Sequence, residues 1–105
     1  MKQQFNNDIS APELKEEISQ GNPIHIIDVR EPIEYHTFNI GGENIPLNII
    51  FQSSEALNHD KEKQIVVICQ HGIRSETARR LLVSAGYKNV KNLTGGLLAY
   101  RRIIS

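Results

Sequence analysis

Cys69 is the only cysteine in the chain. It closes an apolar run, Gln64-Ile65-Val66-Val67-Ile68, and is followed by Gln70-His71-Gly72-Ile73-Arg74-Ser75. A run this short and this rich in β-branched residues reads as a buried strand. Ala78, Leu81, Leu82 and Ala85 then share one face of a helix over 75–85, capped by Ser75 and stopped by Gly86. A cysteine between the carboxyl end of a strand and the start of a helix lies where open α/β sheets bind ligands. Loop N–H groups and the positive helix end both favour the anionic, reactive sulfur. Gly72, lacking a Cβ, permits the tight curvature such a loop needs, and Arg74 places a fixed positive charge at its far lip. A lone cysteine is more often a small buried hydrophobe. Strand end, glycine loop, arginine and helix start in succession favour a nucleophile in an anion-binding loop instead.

The elements that must position this loop follow from the rest of the chain. Ser10-Ala11-Pro12-Glu13 carries a capping-box pattern, Leu14 and Ile18 share a helical face, and Gly21 is a natural stop. Residues 24–29, Ile-His-Ile-Ile-Asp-Val, are too brief for a helix. Apolar on both faces, they read as a covered, parallel strand. Residues 30–36 make a short helix opened by Glu31-Pro32, and 39–44 a loop around Gly41-Gly42. Ile45-Pro46-Leu47 is expected as a short edge strand, 49–57 as an irregular helix and 58–63 as a charged turn. Asn89 to Leu93 alternates as a last strand, Thr94-Gly95-Gly96 turns, and 97–104 closes as a helix. Strands alternating with helices predict an α/β fold with a mainly parallel sheet.

Composition bounds the function. The 105 residues suit one domain, 1–105, with 39% hydrophobic residues for a core. Fifteen isoleucines against five alanines favour strands over a helix-only bundle. Twelve basic residues balance twelve acidic ones, so there is no global field for nucleic acid or an anionic membrane. One cysteine makes no internal disulfide, and no spacing of ligands indicates a structural metal. The polar first ten residues show no signal peptide, and no apolar run approaches a membrane span. These features predict a cytoplasmic protein.

With these residues in view, the chain resembles the rhodanese-like sulfurtransferases. Cys69-Gln70-His71-Gly72-Ile73-Arg74-Ser75 is similar to their active-site loop. Ile27-Asp28-Val29-Arg30-Glu31-Pro32 with Glu34-Tyr35 resembles the family's first signature, and Asn44-Ile45-Pro46-Leu47 the segment after it. Leu93-Thr94-Gly95-Gly96 with Ala99-Tyr100 resembles the closing motif, Tyr100 standing in place of a common Trp. The likeness runs from about Ser10 to Arg102. It implies a rhodanese-like three-layer sandwich, a central sheet of about five mainly parallel strands with helices on both faces. It also implies a chemistry without metal or organic cofactor, in which Cys69 takes a sulfane sulfur from thiosulfate or a persulfide, holds it as a cysteine persulfide, and yields it to a thiophilic acceptor. The loop N–H groups from Gln70 to Ser75 would stabilise the anionic persulfide. The partners implied are a small sulfur donor or a protein persulfide and a sulfur-relay acceptor protein. Neither nucleic acid nor membrane is implied.

The chain departs from the family at Gln70, where many members carry Arg or Lys, and this weakens the attraction for a dianionic donor. The usual Gly-His-Ile-Pro-Gly stretch reads Phe38-Asn39-Ile40-Gly41-Gly42. Among rivals, a phosphatase or arsenate reductase also sets a cysteine in an oxyanion loop ending in Arg. Four residues separate Cys69 from Arg74 here, one fewer than in that loop, and Ile68 stands where a His is usual. The other rival is a non-catalytic interaction or redox-sensing module, disfavoured by the presence of Cys69, Gly72 and Arg74. Arg74 either orients substrate or braces the loop against a carboxylate. Asp28 either helps form the pocket rim or caps the turn that follows it, the second being the commoner use of such a residue, and Arg30 and Glu34 are expected as structural partners near that rim. His71 could tune Cys69 as a base, although adjacency alone does not make contact. His25, His36 and His59 carry no assigned role, and Arg79, Arg80, Lys88 and Lys91 form either a basic face near the site entrance or ordinary solvated surface.

Overall fold

The computed structural model describes residues 7–53, 57 and 59–104. Its strands are β1 (Asp8–Ile9), β2 (His25–Asp28), β3 (Glu43–Asn44), β4 (Ile65–Ile68) and β5 (Val90–Leu93). Its helices are α1 (Ala11–Ser19), α2 (Pro32–Thr37), α3 (Leu47–Ser53), α4 (Ile73–Ser84) and α5 (Gly96–Ile104). The strands form one sheet in the order β1-β5-β4-β2-β3, with every pair parallel. No helix among the described residues is long and apolar enough to cross a membrane.

The central strand divides the core. All four residues of β4 are buried, and their period-two alternation sends them to opposite faces. Ile65 and Val67, then Cys69, join Ile27, Ile50, Ala78, Leu82 and Tyr87 beneath α3 and α4. Val66 and Ile68 join Leu14, Leu93, Leu97 and Tyr100 beneath α1 and α5. The expected α/β sandwich with a covered parallel sheet is therefore the observed one. Ser10 accepts from the Glu13 N–H at 3.2 Å while Glu13 returns to the Ser10 N–H at 2.8 Å, closing the capping box.

Two local expectations are corrected. The edge strand is Glu43–Asn44 rather than 45–47, because Pro46 lacks an N–H and Leu47 already begins α3. Ile45 still donates to Asp28 O at 2.9 Å, so the extended chain runs on without forming a strand. Second, α4 begins at Ile73, two residues early, and its N-cap is Gly72 at φ +96°. Ser75 thus sits inside the first turn and does not cap. β1 has no counterpart among the expected elements: it pairs with β5 through two residues only, too few to show a periodic pattern. The helix expected over 49–57 is α3, and the part of it at 54–56 lies outside the described residues, as do residues 1–6, 58 and 105.

Two arrangements hold the end of β4. The first N–H groups of α5, which have no partner inside their own helix, donate outward: Leu97 to Cys69 O at 2.8 Å and Leu98 to Gln70 O at 3.1 Å. This approach requires Gly96, since a Cβ there would lie 2.4 Å from Gln70 O and 2.6 Å from Cys69 O. Across the sheet, Asp28 and Arg30 form a buried bidentate pair, with Arg30 Nε 3.0 Å from Oδ1 and Nη2 2.8 Å from Oδ2. Asp28 Oδ1 also accepts the Arg30 backbone N–H at 3.1 Å, the expected cap of the turn, and Arg30 reaches on to Phe38 O at 2.6 Å.

Arg74, in the first turn of α4, forks onto Glu34 of α2 at 2.8 and 2.9 Å. These bonds hold the Glu34 carboxyl down at about 2, against the opposing effect of burial. A carboxyl with a lowered folded-state pKa contributes stability above its unfolded value of 4.5 and loses it as pH falls toward about 2. Both side chains are roughly one-third exposed, so solvent screens the pair and E34Q should cost no more than about 1 kcal/mol at neutral pH. Urea unfolding at neutral pH and at about pH 3 checks this: the difference between wild type and E34Q should shrink markedly at the lower pH. A difference independent of pH would remove the ion pair from the account.

Candidate active site

The Cys69 side chain leaves the end of β4 toward the first turn of α4 and is almost fully buried, the residue being 1% exposed. Gly72, in a left-handed conformation, turns its own N–H back onto Sγ at 3.1 Å, and the Ser75 N–H follows at 3.3 Å. A non-glycine residue at 72 would be strained at that φ, and its Cβ would press within 3.3 Å of Gly95 N and Leu93 O. Two backbone donors thus converge on one sulfur at the start of a helix, an arrangement that stabilises negative charge there.

The third contact of Sγ is Ser75 Oγ at 3.2 Å, and its polarity follows from its neighbours. Asn92 of β5 donates Nδ2–H to Gly72 O at 3.0 Å, because a carbonyl can only accept. Its Oδ1 therefore faces Ser75 Oγ, 2.5 Å away, and takes the single hydroxyl proton. Ser75 Oγ is left as an acceptor toward Cys69, which suits a thiol donating S–H to it. Once that proton leaves, the hydroxyl can turn from Asn92 to the sulfur, and the two backbone N–H groups already point there. Asn92 is 5% exposed and so tied both to the loop backbone and to the hydroxyl beside the sulfur. Its sequence signal is faint, a polar residue within a strand otherwise buried at Val90 and Leu93.

The rim contains the remaining expected residues, in pairings that local sequence does not dictate. Arg74 is engaged by Glu34, whereas Arg30 is engaged by Asp28 and Phe38 O, so Arg30 and Glu34 are not each other's partners. His71 is exposed, and the hydrogen-bond partners of Sγ are Gly72 and Ser75. Ile73 is 77% exposed at the outer edge of the loop. Gln70 is half-buried and borders a surface depression of about 330 Å³, shared with Arg30, Glu34, Phe38 and Arg101. Arg101, which sequence reasoning passed over, lies with its guanidinium carbon 4.2 Å from the Phe38 ring centroid and gives this depression an exposed positive charge. Two histidines left without a role, His25 and His59, meet at Glu43 on the edge strand β3.

Comparison with known proteins agrees with this geometry. The family model described as "Rhodanese-like domain" matches residues 10–102. The chain is 35% identical over 91 residues to the putative sulfur carrier protein YrkF of Bacillus subtilis, covering 86% of this chain and 48% of that protein. It is 28% identical over 95 residues to the probable adenylyltransferase/sulfurtransferase MoeZ of Mycobacterium tuberculosis, covering 90% of this chain and 24% of that protein. The chain thus spans less than half the length of these two curated relatives. Among solved structures, a rhodanese-like domain from Anabaena superposes with a TM-score of 0.82 at 29% identity, covering 96% of this chain and 77% of that one. Cysteine loop, sheet order and family match together place this chain in the rhodanese-like domain family.

Proposed function

We propose that this chain is a sulfurtransferase in which Cys69 is the nucleophile and carries the transferred sulfur as a persulfide. The observation that carries the reading is the convergence of the Gly72 and Ser75 N–H groups and the Ser75 hydroxyl on Cys69 Sγ. Similarity to a putative sulfur carrier protein and a probable sulfurtransferase supports it. In the first half-reaction the Cys69 thiolate attacks the outer sulfur of thiosulfate. The Sγ–S bond forms, the S–S bond of the donor breaks, and sulfite leaves with the bonding pair. With a persulfide donor, a thiolate leaves instead. In the second half-reaction an acceptor nucleophile attacks the terminal sulfur and Cys69 leaves as thiolate. Cyanide gives thiocyanate by this route, and a thiol gives a new persulfide. Neither step needs an external oxidant or a metal.

The roles of the loop residues follow from their positions. The Gly72 and Ser75 donors stabilise charge on sulfur. Gln70, His71 and Ile73 form the lip that must give way, since Cys69 is nearly closed off from solvent. Arg74 braces the loop against Glu34, and the Asp28–Arg30 pair fixes the opposite wall. With a neutral Gln70, Arg101 is the exposed cation nearest the depression, and a donor presented by a protein surface suits this site better than free thiosulfate. A relay role follows: sulfur received from one protein persulfide and passed to another protein. A reducing cytoplasm is the compartment that would keep Cys69 available for it.

Steady-state kinetics with thiosulfate or a low-molecular-weight persulfide as donor and cyanide as acceptor test the reading. Parallel double-reciprocal lines are expected, and C69S should fall to the uncatalysed rate while retaining the wild-type fold by circular dichroism. Turnover by C69S would refute the mechanism. A wild-type chain inert with both donors would instead favour a binding module.

Asn92 gives a second test. N92L keeps bulk but strips Gly72 O and Ser75 Oγ of their partner, and should cost about 1–3 kcal/mol in denaturant unfolding. Because the loop also loses its anchor, the first half-reaction should slow as well. Full activity with unchanged stability would show that the loop holds itself.

A further inference from the structure

The β3 edge of the sheet carries a second group of chemically capable side chains that does not touch Cys69. His25 is the first residue of β2, Glu43 the first of β3, and His59 lies in the connection between α3 and β4. The parallel pairing of β2 with β3 and the return of the chain toward β4 bring the three together. His25 Nε2 is 2.9 Å and His59 Nε2 3.0 Å from the same oxygen, Glu43 Oε1. One ligand atom from each residue falls within 4.8 Å of the others, and the two imidazoles meet edge-on with centroids 4.4 Å apart. His25 pairs with Ile65 at the start of β4, whereas Cys69 follows its end. Glu43 stands in register with Ile27, and Ile27 with Val67, so the cluster is set off from Cys69 by two strand spacings, roughly 10 Å, as well as by two to four residues along the sheet.

We propose that His25, Glu43 and His59 form a binding site for a divalent transition-metal ion of the zinc type. The donor set is two imidazole nitrogens and one carboxylate oxygen, which suits borderline ions and disfavours magnesium and calcium, whose ligands are oxygens. Ligand bonds of about 2.0–2.1 Å around a tetrahedral ion place donor atoms about 3.3 Å apart. The two nitrogen–oxygen separations, 2.9 and 3.0 Å, open slightly to reach that spacing, and the two imidazole nitrogens lie within 4.8 Å of each other. Three protein ligands leave a fourth position for water. Side-chain exposures of 36% for His25, 22% for His59 and 45% for Glu43 provide an entry path from solvent while still limiting side-chain motion. The ligands belong to three segments distant in sequence. A bound ion would therefore fasten β3, a two-residue edge strand, and the connection before β4 to the amino end of β2. That gives the site a structural consequence distinct from sulfur transfer.

The test is titration of the full chain with Zn2+ alone, monitored by NMR at the four histidines and by calorimetry. C69S and C69A are titrated in parallel, so that the thiol makes no contribution. One equivalent of Zn2+ should shift the His25 and His59 imidazole resonances in all three proteins and leave His36 unmoved. It should also raise the thermal midpoint by several degrees. H25Q and H59Q should each weaken binding at least about tenfold, the smallest loss seen even when an outer partner of a metal ligand is removed. Mg2+ and Ca2+ should produce none of these changes. Shifts confined to His71 or to the Cys69 loop would overturn the proposal. So would saturation that survives both histidine substitutions, or no binding in wild type, which would leave only a histidine–carboxylate hydrogen-bonded cluster.

Discussion

The start of α5 against the end of β4 is the contact on which the sulfur site depends. Two helix N–H groups without partners in their own helix meet two carbonyls, of Cys69 and Gln70, that have left the sheet ladder. Both sets of orphaned groups are satisfied at once, and only a glycine at 96 lets them come close enough. With the carbonyl side of the strand end fixed, the chain beyond Cys69 turns directly into α4. It passes through Gly72 in the left-handed conformation, with N–H groups turned inward to sulfur. Gly96, which looks like part of a simple turn in sequence, is therefore a structural condition for the loop's electrostatics.

Around that contact the fold separates rigidity from chemistry. Buried apolar side chains pack both faces of β4, Arg30 ties the end of α2 to the sheet through Phe38 O and Asp28, and the Glu34–Arg74 pair ties α2 to α4. The sulfur itself, although Cys69 belongs to the core beneath α3 and α4, has a polar side. It faces two backbone donors and a hydroxyl whose proton is held by Asn92. This hydroxyl can serve the thiol as acceptor and the thiolate or persulfide as donor, so one side chain fits both charge states with no movement of the backbone.

The parts of this arrangement that were legible in sequence are those governed by local periodicity. The strand before Cys69, the face of α4, the capping box at Ser10 and the parallel sheet all follow from spacing and residue type. Ser75 shows the limit. A serine at the head of a helix is an ordinary cap, and only the left-handed Gly72 starts the helix early and turns Ser75 onto the sulfur. Edge-strand placement slipped by two residues because the Pro46 signal marks where pairing ends more than where it begins. The roles of Asn92 and of the pair Glu34–Arg74 depend on contacts between residues seventeen and forty positions apart. No periodicity encodes those contacts. The meeting of His25, Glu43 and His59 is of the same kind, made by strand register rather than by a motif.

The central claim is that sulfur is held covalently on Cys69 within this cradle. Intact-mass measurement before and after exposure to a persulfide donor, followed by peptide mapping, addresses it most directly. The account predicts a gain of one sulfur atom located on Cys69, lost again on addition of cyanide with thiocyanate released in equal amount. A free, unmodified Cys69 after exposure, or sulfur held without covalent attachment to it, would contradict the account.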